Sequence, residues 1–169
     1  GMTLEGTPSI VNPAGITSVN FLDEVETANK YAAELLETGV QAIVLLLHEG
    51  GSQAPPPSPI DPSGCANFSG ALVDIVHGLH SEFDLVISGH THRPYVCSPP
   101  DSAGESTLAT SAGSNGQLVT DITATLRRSS RDFISLSATN VIVENGVKLP
   151  DGTYLRTSPT GPFVLNPAL

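Results

Sequence analysis

Two short apolar runs, each leading into histidine, constrain the fold of this chain more than any other feature. The first, "QAIVLLLH", is continuously apolar from Ala42 to Leu47 and closes on His48. It is too short for a core helix and reads as a parallel strand covered on both faces. The second, "LVISGHTH", passes from Leu85 through Gly89 to His90 and His92. An amphipathic pattern precedes each run. Leu22, Val25, Ala28, Ala32 and Leu35 recur at helical steps, with Asp23, Glu24 and Glu26 in the first turn and Gly39 as a stop. Ahead of the second run, Ser69 is expected to cap a helix whose buried stripe is Leu72, Val73, Val76 and Leu79. Helix, strand, loop, helix, strand is an α/β unit, and its two strands are expected to be parallel.

The remaining segments differ in character. "GMTLEGTPSIVNPAGI" has no periodicity and reads as a loop, as does the stretch from Glu49 to Gly70 with its three consecutive prolines. Loops of that length are often functional. "STLATSAG" is expected to add a strand. "QLVTDITATLR" and "DFISLSATNVIV" then alternate with a period of two about "RSSR", the pattern of an antiparallel hairpin. The expected organisation is one domain over residues 1–146 and a linker or tail over 147–169, where Pro, Gly and Thr dominate.

Composition narrows the function. The chain has 169 residues with 39% hydrophobic content, enough for one real core. Seven Lys and Arg against seventeen Asp and Glu give a net charge of −10, which removes the long-range attraction needed for a nucleic-acid polymer or an anionic lipid surface. A phosphorylated small molecule stays open, because a metal ion can supply positive charge locally. No apolar stretch approaches the ~20 residues needed to span a bilayer. No signal peptide is visible, so for an exported protein it lies outside this sequence. Cys65 and Cys97 form no C-x-x-C motif. A disulfide between them is favoured over two free thiols, and with the acidic charge it fits an exported protein.

His48 and the pair His90 and His92 follow the carboxyl ends of expected parallel strands, the edge where open α/β sheets place ligands. Imidazole suits zinc, iron and manganese-type ions. In an extended segment His90 and His92 would face the same side, able to grip one ion or to serve one each of two. An isolated H-x-H is weak, and the repetition of the strand-end signal strengthens it. His77 and His80 read as solvated helix-face residues. Glu49 and Asp61 are the carboxylates nearest in sequence, with Glu49 expected in a solvated loop, whereas Asp84 is expected at the opposite end of the sheet.

"LLLHEGG" followed by "FDLVISGHTHRPYVC" resembles the last two motifs of calcineurin-like metallophosphoesterases, in the 5′-nucleotidase and 2′,3′-cyclic-nucleotide phosphodiesterase branch. "TPSIVNPAGI", "FLDEVETANKYAAEL", "CANFSGALVDIV" and the hairpin follow in that branch's order, so the resemblance covers Thr3 to about Val143. It implies the C-terminal half of a four-layer α/β/β/α sandwich, with parallel strands and an antiparallel hairpin. It also implies two divalent ions of the zinc, manganese or iron kind, His48 and His90 on one and His92 on the other, with one ion or none held by this chain alone. The implied reaction is hydrolysis of a nucleotide or another phosphomonoester or phosphodiester. The family's Asp-x-His, bridging Asp and Asn-His-Asp elements precede these motifs and do not occur in this sequence. The expectation is therefore an inactive half-domain with no catalytic residue of its own and exposed sheet edges open to homodimer formation. The rival readings are a non-catalytic metal-binding or interaction module of the same fold and, less favoured, a sulfur-compound hydrolase of the superfamily.

Overall fold

A computed structural model describes residues 1–54, 61–143, 147–152, 154–158 and 161–163. Its centre is a five-stranded sheet in the order β1-β2-β3-β5-β4, built from β1 (Met2–Thr3), β2 (Val44–His48), β3 (Leu85–Ile87), β4 (Pro94–Cys97) and β5 (Leu108–Ala112). The first four strands in that order are parallel, and β4 lies antiparallel on β5. Leu46 pairs with Ile87, so the segments carrying His48 and His90 leave the sheet side by side at the carboxyl edge. The opening of the chain, read as loop, supplies β1: Thr3 pairs with His48.

Helices α1 (Glu24–Glu37) and α2 (Ala71–Gly78) cover one face. Asp23 caps α1 by accepting from Glu26 N at 2.7 Å, and Gly39 follows its end at φ +85°. Ala28 and Ala32 are buried, while Leu22 and Leu35 are exposed and Leu36 packs on the core in Leu35's place. Ser69 does not cap α2. Gly70 holds that position at φ +122° with no side-chain cap, and Leu72 N donates instead to Gly50 O at 3.2 Å. The stripe of α2 includes Ile75 with Leu72, Val76 and Leu79, and Val73 is half-buried. These residues pack on Leu45, Leu47, Val86, Tyr95, Cys97 and Ala109 from the sheet.

The opposite face is only partly covered. The hairpin β6 (Leu118–Arg127) and β7 (Asp132–Ile142) contacts β4 and β5 and leaves β2 open. Val44 is 40% and Leu46 52% exposed, so β2 is not buried on both faces; its apolar run serves one helix-covered face and one bare one. Asn140 seats the hairpin, donating from Nδ2 to Pro62 O at 2.6 Å and Ser111 O at 2.8 Å while Oδ1 accepts from Thr120 at 2.6 Å. Cys65 and Cys97 form a disulfide, Cα atoms 5.3 Å apart, tying the long loop to β4. At the amino edge, Asp84 Oδ2 accepts from Ile43 N at 2.8 Å, and Asp84 N donates to Ile43 O at 3.1 Å. Beyond residue 146, read as linker or tail, the described backbone forms three short antiparallel strands, β8 (Val147–Lys148), β9 (Tyr154–Ser158) and β10 (Gly161–Phe163). The three prolines at 55–57 lie outside the described residues.

Candidate metal centre

The carboxyl edge of the sheet gathers two loops. Residues 48–51 leave β2 and residues 88–93 leave β3, and Gly89 N donates to Glu49 O at 3.3 Å between them. His48 and His90 meet there edge to face, ring centroids 5.2 Å apart. His48 is exposed, His90 half-buried and His92 exposed, so the imidazoles stand at a surface open to a ligand.

The H-x-H segment is not extended. His90 has φ +64° and His92 φ +58°, and Thr91 N donates to Gly89 O at 2.7 Å across His90. Both histidines therefore sit in the left-handed region, which costs a residue with a Cβ on the order of 1–3 kcal/mol. Extended spacing does not explain how these side chains are aimed; a tight turn does. Among the described residues, His48, His90 and His92 do not bring their donor atoms within 4.8 Å of one another as a trio. The structure thus joins His48 with His90 and leaves His92 outside a common three-donor set.

Carboxylates enter differently from expectation. Glu49 is buried, 8% exposed, and its Oε1 accepts from Gly50 N at 2.8 Å, where the sequence pointed to a solvated loop. Asp61 accepts from Ser63 N at 3.0 Å within its own loop. Neither joins the histidines in a three-donor group among the described residues; the group that does form is Glu5, Asp23 and Glu24, in which Glu24 Oε1 accepts from Glu5 N at 2.7 Å. His77 and His80 are exposed, and His80 faces Glu82 at 3.9 Å.

The glycine that allows close approach of the two loops is Gly50. A Cβ on Gly89 would meet only His48 Nδ1, at 3.8 Å, whereas one on Gly50 would overlap Gly89 O. Gly51 and Gly70 likewise press together, a Cβ on Gly70 falling 2.9 Å from Gly51 Cα. Beneath the loops lies Tyr95, fully buried against Phe68 with ring centroids 4.5 Å apart. Its hydroxyl accepts from Gly51 N at 3.3 Å and bonds to Ser88 Oγ. Ser88 Oγ in turn donates to Thr110 O at 2.8 Å. Ser88 has a single hydroxyl proton, so Tyr95 supplies the one between them. Burial pushes the Tyr95 phenol up and the Glu49 carboxylate adds to it, so the hydroxyl stays protonated, as its donation to Ser88 requires.

The donors at this edge fit a divalent transition ion in part: two imidazoles face each other at an open edge, and among the described residues no carboxylate completes a three-donor group with them. The fold has the order of parallel strands, helices and hairpin found in the C-terminal part of a 5′-nucleotidase-type fold. Among solved structures, the chain superposes on a 5′-nucleotidase precursor from Thermus thermophilus with a TM-score of 0.58 and 20% identity, covering 75% of this chain and 24% of that one. It also superposes on the Haemophilus influenzae NAD nucleotidase with a TM-score of 0.54 and 17% identity, covering 85% of this chain and 28% of that one. Among curated proteins, it is 30% identical over 137 residues to the cell wall protein Lmo0130 of Listeria monocytogenes and 26% identical over 151 residues to the endonuclease YhcR of Bacillus subtilis. These stretches cover 80% and 89% of this chain but only 17% and 11% of those relatives. No family model matches the chain.

Proposed function

We propose that this chain is the C-terminal half of the catalytic domain of a dinuclear metal-dependent phosphoesterase acting on nucleotides, with His48 and His90 as ligands of one divalent ion and His92 as a ligand of its neighbour. The observation that carries this reading is the edge-to-face approach of His48 and His90, brought by two parallel strands to the ligand-binding edge of the sheet. The likeness in fold to a 5′-nucleotidase precursor and an NAD nucleotidase supports a phosphoester substrate, and the relative named as an endonuclease belongs to the same bond class. The net charge of −10 favours a small phosphorylated substrate over a polymer.

Bound ions would supply Lewis acidity toward a phosphoryl group. The chain's own contribution is placement. Glu49 O and Gly89 N lock the two histidine loops together, and Tyr95 fixes Gly51 from below. The disulfide and the cell wall relative support an exported protein, and no described helix is long and apolar enough to cross a membrane. A second reading, a non-catalytic metal-binding or interaction module, is favoured by one fact: among the described residues no carboxylate completes a three-donor group with the histidines. Titration with Mn²⁺, together with assays on AMP and 2′,3′-cyclic AMP, tests the proposal. Weak histidine-dependent binding without turnover is expected; tight two-ion binding with brisk hydrolysis by this chain alone would overturn the half-domain reading.

A further inference from the structure

Gly51 has both of its backbone polar groups held by side chains from beyond its own loop. Its N–H donates to Tyr95 Oη at 3.3 Å, and its carbonyl accepts from Thr91 Oγ1 at 2.8 Å. Thr91 lies between the two left-handed histidines, directly after the turn in which Thr91 N closes onto Gly89 O. Thr91 Oγ1 is also the second atom that a Cβ on Gly50 would meet, at 2.8 Å, so the two loops are in contact at this residue. A left-handed histidine persists only where its surroundings over-determine it. Here the surroundings are the backbone bond across His90 and the side-chain bond that anchors Thr91 to the loop of His48.

We propose that Thr91 is a positioning residue: its hydroxyl, donated to Gly51, holds His90 in its left-handed turn against His48 and so sets the affinity of the metal centre. This rests on the proposed role of His48 and His90 as ligands. The hydroxyl is committed to the Gly51 carbonyl and acts through the backbone it fixes. Tyr95 holds the other end of the same residue. Removing either bond frees the loop of His48 to shift against that of His90, and metal binding must then bear the cost of restoring the alignment.

The test is calorimetric titration of the chain with Mn²⁺, run beside thermal unfolding of the metal-free chain, for wild type, Thr91→Val, Thr91→Ser and His48→Ala. Thr91→Val, close in shape but unable to donate, is expected to weaken Mn²⁺ binding about fivefold in the chain that remains folded. Thr91→Ser keeps the donor and is expected to bind within about twofold of wild type. A purely structural role would lower Tm and leave the affinity of the folded chain unchanged, so wild-type affinity in Thr91→Val overturns the proposal, as does an equal loss in Thr91→Ser. If Thr91→Val does not fold, Tyr95→Phe takes its place with the same expected loss, and wild-type affinity there overturns it. His48→Ala separates the two claims: undiminished binding in that variant means that the metal reading fails, whereas lost binding there with none lost in Thr91→Val means that only the clamp fails.

Discussion

His48 and His90 face each other with their ring planes inclined at 73°, although they lie 42 positions apart in the chain. The parallel pairing of Val44 with Leu85 and Leu46 with Ile87 determines that meeting, because strands in register deliver their carboxyl-end loops to the same edge. Those loops are tightly fitted. At Gly50 the Gly89 carbonyl oxygen stands where a side chain would begin, and backbone cannot yield there as a flexible side chain would. Gly50→Ala should therefore destabilise the chain by roughly 1–3 kcal/mol or more. Gly15→Ala, where nothing lies within 4 Å and φ is not positive, should stay within about 0.5 kcal/mol of wild type. Urea unfolding of both variants checks the contrast.

Cys65 and Cys97 close a loop with a sequence separation of 32. Restricting the unfolded chain over that span is worth about 3 to 4 kcal/mol in the chain-entropy account. Cys65→Ser with Cys97→Ser should lose about that much in denaturant unfolding, and mass spectrometry of unreduced wild type should find no free thiol.

Asp84 sits at the far end of the sheet from the histidines, where burial raises its carboxyl, the Ile43 N–H lowers it and the Asp132 carboxylate raises it further. A carboxyl raised above its ordinary value of 3.8 holds its proton longer in the folded chain than in the unfolded one. The Asp84 contribution to stability thus declines as pH rises from about 3.8 through the raised folded value, then stays level. Asn keeps an acceptor for Ile43 N without the charge. Asp84→Asn should flatten this part of the pH profile and leave Tm at pH 7 equal or higher, while Asp84→Ala should lower it; thermal melts across pH 3 to 7 decide.

The strand-end histidines, the two helices, the parallel pair and the hairpin were legible because each follows from a local pattern. The 3.6-residue period marks α1, the period of two marks β6 and β7, and the apolar runs mark β2 and β3. The features that sequence missed depend on partners distant along the chain. Leu46 reads as core because it is apolar, yet its exposure depends on where the hairpin ends over the sheet. Glu49 reads as solvated because it is charged, yet its burial depends on Gly50 packing against Gly89. Ser69 reads as a cap, but its backbone is bound to Ser52 on both sides, N to O at 3.0 Å and O to N at 2.8 Å, and Gly70 takes the cap position. Tyr95 and Thr91 carried no local signal beyond their nearness to the H-x-H segment.

In the proposed centre, His48 and His90 bind one divalent ion together. Calorimetric titration with Zn²⁺ of wild type, His48→Ala, His90→Ala, the exposed control His77→Ala and Glu24→Gln is the decisive experiment. His48→Ala and His90→Ala should each weaken binding by more than about tenfold, while His77→Ala and Glu24→Gln match wild type. Binding that survives both histidine substitutions and disappears with Glu24→Gln would contradict it, and would move the ion to the acidic group of Glu5, Asp23 and Glu24.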